Sequence, residues 1–438
     1  MKVFAFFSGR GPNRQSPIKN WSRESRRQVC AITFSLTIGV ALASCQTMAP
    51  VAAPPPPPPP PPTPVAMAAP TPTPAAPSRT DQPNFYRLRN TASGATPARV
   101  ALLLPLSGGT AESRAVAEAM ERAAELAVFD SKNTDILLMP RDDGGTPEKA
   151  AAAAAKAIQD GAEIIIGPLF AQSVTAVAPI ARAGKVPMVA FSSDRSVGGN
   201  GTYLLSFQPE TEVNRIVSYA VKTGHASFSA LIPKTAYGQK VEAAFRQSVT
   251  RSGARIAAVQ PFDERPQAVV EPTKAVAQAG ADAVLIPEGG TMLQAIAPAL
   301  ASNGAMMRRV QLLGTGLWDD ATVGREPSLA RGWFAAPNPD AFRNFSAHYR
   351  DVYGAAPPRI TTLSYDALSL VALLSRGRPY QRFTDGALTD PDGFVGVDGI
   401  FRFSADGAAE RGLAILQVSP NGLTVVDPAP RSFPQPGF

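Results

Sequence analysis

The sequence predicts an α/β protein of two lobes, each built on a parallel sheet and facing the other across a cleft. Three observations predict it. From residue 97 onward, short apolar runs alternate with helical patterns; the alternation restarts once, near residue 210; and the residues before 97 lack the material for a core. Continuous apolar strands between helices mean a parallel sheet covered on both faces. The roughly 340 residues that remain are long for one core and right for two lobes.

The elements follow in order. RVALLLPL (99–106) reads as a buried strand and AESRAVAEAMERAAELAVFD (111–130) as a helix. DILLMP (135–140) is a strand, and PEKAAAAAAKAIQD (147–160) is a helix with proline in its first turn, where a missing N–H costs nothing. EIIIGPL (163–169) is a strand, SVTAVAPIARAG (173–184) a helix ending in glycine, and VPMVAF (186–191) a fourth strand. Residues 210–223 open the second unit as a helix. Strands at 227–233, 255–262, 281–287 and 309–316 then alternate with helices at 239–253, 266–280 and 291–304. In open sheets of this kind ligands bind at the carboxyl ends of the strands.

Ahead of the lobes, residues 29–42 form an apolar run of about 14 residues, too short to span a bilayer comfortably. Arg23, Arg26 and Arg27 lie just upstream, and small residues lead into LASC at 42–45. A positive region, a short apolar region and a small-residue cleavage site make a secretory signal over residues 1–44. Cysteine directly after the site resembles a bacterial lipobox, which implies lipidation of Cys45 and a membrane anchor; an ordinary signal peptide with a chance cysteine is the alternative. The other cysteine, Cys30, falls inside the leader, so no intrachain disulfide or cysteine-based site is expected.

The formal charge of +7 is also a property of the leader. Residues 1–44 hold seven basic residues against one acid, leaving 35 against 34 in the rest, a balance that gives no reason to expect a nucleic-acid partner. Sixteen of the 44 prolines lie between Pro50 and Pro83, within a linker at 45–96. As polyproline II at about 3.1 Å per residue, residues 46–83 would reach about 120 Å at most. Residues 428–438 form a short proline-rich tail.

Five stretches then point to one family. LLLPLSGGTAESRAVAEAMERAAELA, RDDGGTPEKAAAAA, GAEIIIGPLFAQSVTAVAPIARAGKVPMVAFSS, TAYGQKVEAAF and GFVGVDGIFRFSADGAAERGLAILQV resemble, in this order, segments of type I periplasmic binding proteins of the leucine-binding group. The resemblance covers roughly 97–427. It implies two Rossmann-like lobes around a hinge cleft, joined by three crossovers, a closing hairpin at 393–418, and hinge closure on a ligand. It also supplies candidate cleft residues: Ser107 after the first strand, Ser192, Ser193 and Asp194 after the fourth, Tyr237 at the start of the second lobe's first strand-following helix, and Trp318 in GLWDD.

The sequence departs from the group's amino-acid clamp at several places. Ala171 stands at the carboxylate-binding serine; nearby Ser173 reads as a substitute for it or, more readily, as a cap of the helix that follows. Asp194 stands at a hydroxyl position, and the position of the carboxylate that holds the ligand's ammonium falls near Gly316; Asp319 and Asp320 are close by but also read as the start of the next helix. Trp318 reads equally as a lid of the core. Asp142-Asp143-Gly144-Gly145 reads as a turn, being too short for a calcium loop. His225 and His348 lack any catalytic spacing, and no phosphate loop, His-Glu-x-x-His motif or Gly-x-Ser-x-Gly elbow occurs. No enzyme, metal or cofactor is expected.

Two functions are therefore open. One is the substrate-binding receptor of a branched-chain amino-acid ABC transporter, with a small amino-acid-like ligand. The other, favoured here, resembles the penicillin-binding-protein activators, outer-membrane lipoproteins whose two-lobed domain stimulates a murein synthase. Gln46 after Cys45 is not aspartate, which by the usual bacterial sorting pattern implies the outer membrane and a periplasmic domain. Where some activators carry a long helical-repeat domain, this sequence has the proline stretch.

Overall fold

The computed structural model describes residues 85–88, 96–304, 310–320, 322–420 and 422–433. Cys45, the leader and the proline run lie outside them.

The first lobe carries a five-stranded, all-parallel sheet in the order β2-β1-β3-β4-β5, where β1 is Ala98–Leu104, β2 Ile136–Asp142, β3 Ile164–Ile166, β4 Met188–Ala190 and β5 Thr202–Leu204. Helices α1 (Ala111–Ser131), α2 (Pro147–Gln159) and α3 (Ala171–Ala183) connect its strands. Both sheet faces are covered: Leu102 and Leu104 belong to one core cluster, and Ala101 and Leu103 to the other. That is why β1 reads as a continuous apolar run and does not alternate.

The chain crosses at residues 205–208 into the second lobe. Here α4 (Pro209–Lys222), β6 (Ser227–Pro233), α5 (Ala236–Arg251), β7 (Arg255–Phe262), α6 (Val270–Gln278), β8 (Ala283–Leu285), α7 (Gly290–Ser302), β9 (Gln311–Gly314) and β10 (Trp333–Ala336) follow. After β10 the chain returns to the first lobe as α8 (Pro339–Tyr353), α9 (Thr361–Leu374), α10 (Asp385–Leu388) and the antiparallel strands β11 (Phe394–Gly396), β12 (Gly399–Phe403) and β13 (Ala409–Arg411). Residues of α8 and α9 pack on α1, and Phe394, Phe401 and Phe403 join the first-lobe core. A third crossing at 412–413 leads to β14 (Ala414–Ser419) and β15 (Gly422–Asp427).

Two expectations change. The closing hairpin at 393–418 is divided between lobes: β11 to β13 form their own sheet, while β14 pairs antiparallel with β10 in the second lobe. The second sheet, β15-β14-β10-β9-β8-β6-β7, therefore has an antiparallel edge on a parallel body. The 3.6-residue pattern at 266–280 also splits, beginning as a 3₁₀ turn at Pro266–Val269 before α6.

Candidate functional site

The carboxyl ends of β1 to β4 and of β6, β8 and β9 place their following loops at the cleft. On the first-lobe wall, Ser107 is tied down: its N–H donates to Asp142 Oδ1 at 3.0 Å, and its hydroxyl donates to the same carboxylate. Asp142 also accepts from the Gly144 N–H (2.9 Å), and Asp143 from the Gly145 N–H (2.7 Å), which makes the acidic stretch a turn. A side chain at Gly108 would place its Cβ 1.8 Å from the Gly144 carbonyl oxygen, so the two loops touch backbone to backbone. Among the described residues no group of acids, histidines or cysteines could hold a metal ion.

Ala171 opens α3, and the residue before it, Phe170, caps it without a side-chain hydrogen bond. Ser173 is not the cap. It lies buried inside the helix, and its hydroxyl has no hydrogen-bond partner.

After β4, Ser192 is buried and accepts from the Asp194 N–H at 3.1 Å, while Ser193 is exposed. Asp194 accepts from the Ser196 N–H (3.1 Å) and hydroxyl (2.8 Å), capping a short 3₁₀ turn. Its Oδ1 also lies 3.5 Å from Lys240 Nζ on α5, an ion pair across the cleft. Burial opposes the charge of Asp194, but the Ser196 hydrogen bonds and Lys240 outweigh it and hold the carboxyl below its usual range.

The second-lobe wall centres on a residue the sequence reading missed. Glu212, in the first turn of α4, is buried, and its Oε2 accepts from the Gly316 N–H at 2.9 Å. A Cβ at residue 316 would fall 2.9 Å from Glu212 Oε1, so glycine there admits the carboxylate. A carboxylate therefore does stand beside Gly316, carried by α4. Tyr237 stands beside it, its hydroxyl 3.0 Å from Thr315 Oγ1; burial and then Glu212 push that hydroxyl's pKa up. Burial, then the charge of Glu264, pushes neighbouring Glu288 up to about 7. Arg359, ahead of α9, bridges the lobes, pairing with Asp319 at 2.9 Å and Asp398 at 2.7 Å.

Trp318 does not face the cleft. It is fully buried in the second-lobe core, with its Nε1 donating to the Ile286 carbonyl at 3.1 Å. Asp320 accepts from the Thr322 N–H at 2.7 Å, and His348 pairs with Asp130 at 3.0 Å on the surface.

The wall has a pH signature. Burial, then Glu210 and Asp319, raises Glu212 from 4.5 to about 7. Glu212 therefore binds its proton more tightly folded than unfolded. Its contribution to stability is full below about pH 4.5 and is lost as pH rises through 7. Glu212→Gln keeps an acceptor for the Gly316 N–H and removes the charge. It should raise stability at pH 8 by on the order of 2 kcal/mol and change little at pH 4. Equal effects at both pH values in urea unfolding would exclude a strained carboxylate.

With this geometry in hand, the chain belongs to the periplasmic binding protein family, whose model matches residues 97–422. A branched chain amino acid ABC transporter periplasmic ligand-binding protein from Burkholderia xenovorans LB400 has a similar fold. The TM-score is 0.63 at 17% identity, covering 76% of this chain and 96% of that one. In sequence, the chain is 28% identical over 171 residues to the penicillin-binding protein activator LpoA of Photobacterium profundum, covering 38% of this chain and 27% of that protein. It is 21% identical over 127 residues to an uncharacterized protein of Rickettsia prowazekii, covering 29% of this chain and 34% of that protein. The matches thus span about a third or less of these two relatives.

Proposed function

We propose that the chain is a periplasmic lipoprotein, anchored through Cys45 to the outer membrane, that uses its two-lobed domain to bind and regulate a murein synthase of the penicillin-binding-protein class. It acts as a binding protein and not as an enzyme. The observation that carries this is the Asp194–Lys240 ion pair, in which the first-lobe ligand wall is engaged by the protein's own second lobe. Ala171 at the position of the carboxylate-binding serine supports the same reading. The similarity to an LpoA protein supports the same direction. A proline linker of the length present would give the domain reach from its anchor, and tethering raises effective concentration only where the linker spans the gap.

A second reading has one specific observation in its favour. Glu212 and Tyr237 beside Gly316 form a cluster of a carboxyl and a hydroxyl whose chemistry suits an ammonium group. On that reading the chain is the receptor of an amino-acid ABC transporter.

Ligand binding separates the two. Binding to the folded state alone stabilises by RT ln(1 + [L]/Kd), about 2.7 kcal/mol at 100 times Kd. Thermal melts of the domain with each common amino acid at millimolar concentration should show no shift. Capture from crosslinked envelopes should recover a murein synthase, and the mature N-terminus should weigh as acylated Cys45. A strong shift with one amino acid, lost in Glu212→Gln, together with recovery of importer subunits, would establish the receptor instead.

A further inference from the structure

At the end of the first lobe remote from the cleft, where β3, β4 and β5 begin, lies a cavity of about 390 Å³. Ala178, Ala181, Val186 and Phe383 give it an apolar floor, and Arg182 and Lys185 stand among its lining residues.

Its charges are unequally matched. Glu163 accepts from the Tyr380 N–H at 2.6 Å and lies 3.7 Å from Arg382 Nε; Asp385 accepts from the Tyr203 hydroxyl. Glu163 is therefore ion-paired, while Asp385 keeps its charge beside a neutral hydroxyl. Arg182 and Lys185 are exposed, and neither forms an ion pair among the described residues. The carboxyl-terminal dipole of α3 favours cations here, which accounts for the charge but not for the hollow beside it.

Five non-glycine residues in the described chain have positive φ, and three of them line this cavity: Lys185 (54°), Asn200 (52°) and Tyr380 (61°). Two of these are ordinary local structure: Lys185 follows the end of α3, its N–H donating to the Arg182 carbonyl at 3.0 Å, and Asn200 lies in the tight turn closed by Gly199 and Thr202. Tyr380 is 62% exposed, held there by the hydrogen bond from its N–H to Glu163.

We propose that this cavity binds an acidic peptide segment of a partner protein, with an aromatic or aliphatic side chain on the floor and carboxylates against Arg182 and Lys185. The size suits one or two side chains, within the usual range of small binding pockets. A compact anion seated deep would meet the carbonyl end of α3, whereas a peptide keeps its charge at the rim. Nothing in this proposal depends on what the cleft binds.

The test uses the protein and two synthetic probes, acetyl-Asp-Phe-Glu-amide and its neutral isostere acetyl-Asn-Phe-Gln-amide, titrated by calorimetry at low salt. The acidic probe should bind about tenfold or more tightly than the neutral one. Arg182→Glu with Lys185→Glu should abolish that preference; both side chains are exposed, so an unchanged melting temperature would show an intact fold. A second variant, Phe383→Ala, should weaken both probes equally. Equal affinity for the two probes, no binding of either up to about 5 mM, or full acidic preference in the double variant would overturn the proposal. So would sedimentation with anionic phosphatidylglycerol vesicles that depends on the two cations while the peptides fail to bind.

Discussion

Trp318→Ala should lower the unfolding free energy by about 3–5 kcal/mol, the usual loss when a large aromatic is cut from a tight core. The ring is fully buried and packs on Phe334 with centroids 6.1 Å apart. Its neighbours are glycines for a reason: a Cβ at Gly314 would fall 2.2 Å from the ring, and one at Gly332 would fall 2.7 Å from it. No side chain is available there to collapse into the space, so the cavity persists. The change also takes a donor from the Ile286 carbonyl. Trp318→Phe keeps most of the volume and loses the hydrogen bond, for a smaller cost of about 1–2 kcal/mol. Urea unfolding reads both, as a fall in midpoint at constant slope. An alanine variant within about 1 kcal/mol of the native protein would mean that the ring is not a core residue.

Trp318 also shows where sequence legibility ends. The first-lobe units were readable because each buried strand is a pure apolar run and each helix has a plain boundary, such as Pro147 in α2. Beyond Gly316 the chain makes short 3₁₀ turns, and β10 is four residues long, so no period is established. Helix α9, TTLSYDALSLVALL, is buried on most of its surface, because it fills the first-lobe core against α1; it lacks the polar stripe that marks a surface helix. The return to the first lobe, and the division of the closing hairpin at residues 412–413, are long-range events that periodicity does not encode.

The cleft was legible in the same uneven way. Tyr237 stood out by its motif, and the Asp194 departure could be seen in place. Lys240, which partners Asp194, could not, because the two lie on different lobes. Glu212 was hidden for another reason. An acid in the first turn of a helix reads as a partner of the helix dipole, and its real partner, Gly316, is 104 residues away.

Arg411→Ala should be comparably damaging and, unlike the tryptophan change, strongly pH-dependent. Arg411 ends β13 just before the third crossover, and its Nε donates to the Ser206 carbonyl in the first crossover at 3.2 Å. Its guanidinium lies over Phe207 at 5.0 Å and Phe401 at 5.5 Å, so it joins two of the connecting strands to the first-lobe core. The facing charge is Asp366 on α9, 3.9 Å away, with Asp398 from the β11–β12 turn and Arg359 also acting on the pair. Asp366 accepts from the Val397 N–H at 2.7 Å, and a Cβ at Gly396 would fall 2.3 Å from its Oδ2. The surrounding backbone is therefore shaped to that carboxylate.

Removing one member of a buried pair leaves the other uncompensated, at a cost of about 3–5 kcal/mol. Burial, then Asp398, already raises Asp366 from 3.8 to about 7, and Arg411 opposes that rise. A folded-state pKa above the unfolded one means stability lost as pH climbs toward and past the folded value. Without Arg411 that value moves higher still, and Asp366 takes up a proton near neutrality. The loss should therefore be modest at pH 5, where Asp366 is neutral in the fold, and should reach its full size only well above pH 8. Adding Asp366→Asn to Arg411→Ala should recover part of the stability at pH 8 and little at pH 5, a coupling that a double-mutant cycle at the two pH values measures directly. A loss of equal size at both pH values, with no recovery in the double variant, would mean that Arg411 holds the hinge through Ser206 and the aromatic rings and not through its charge.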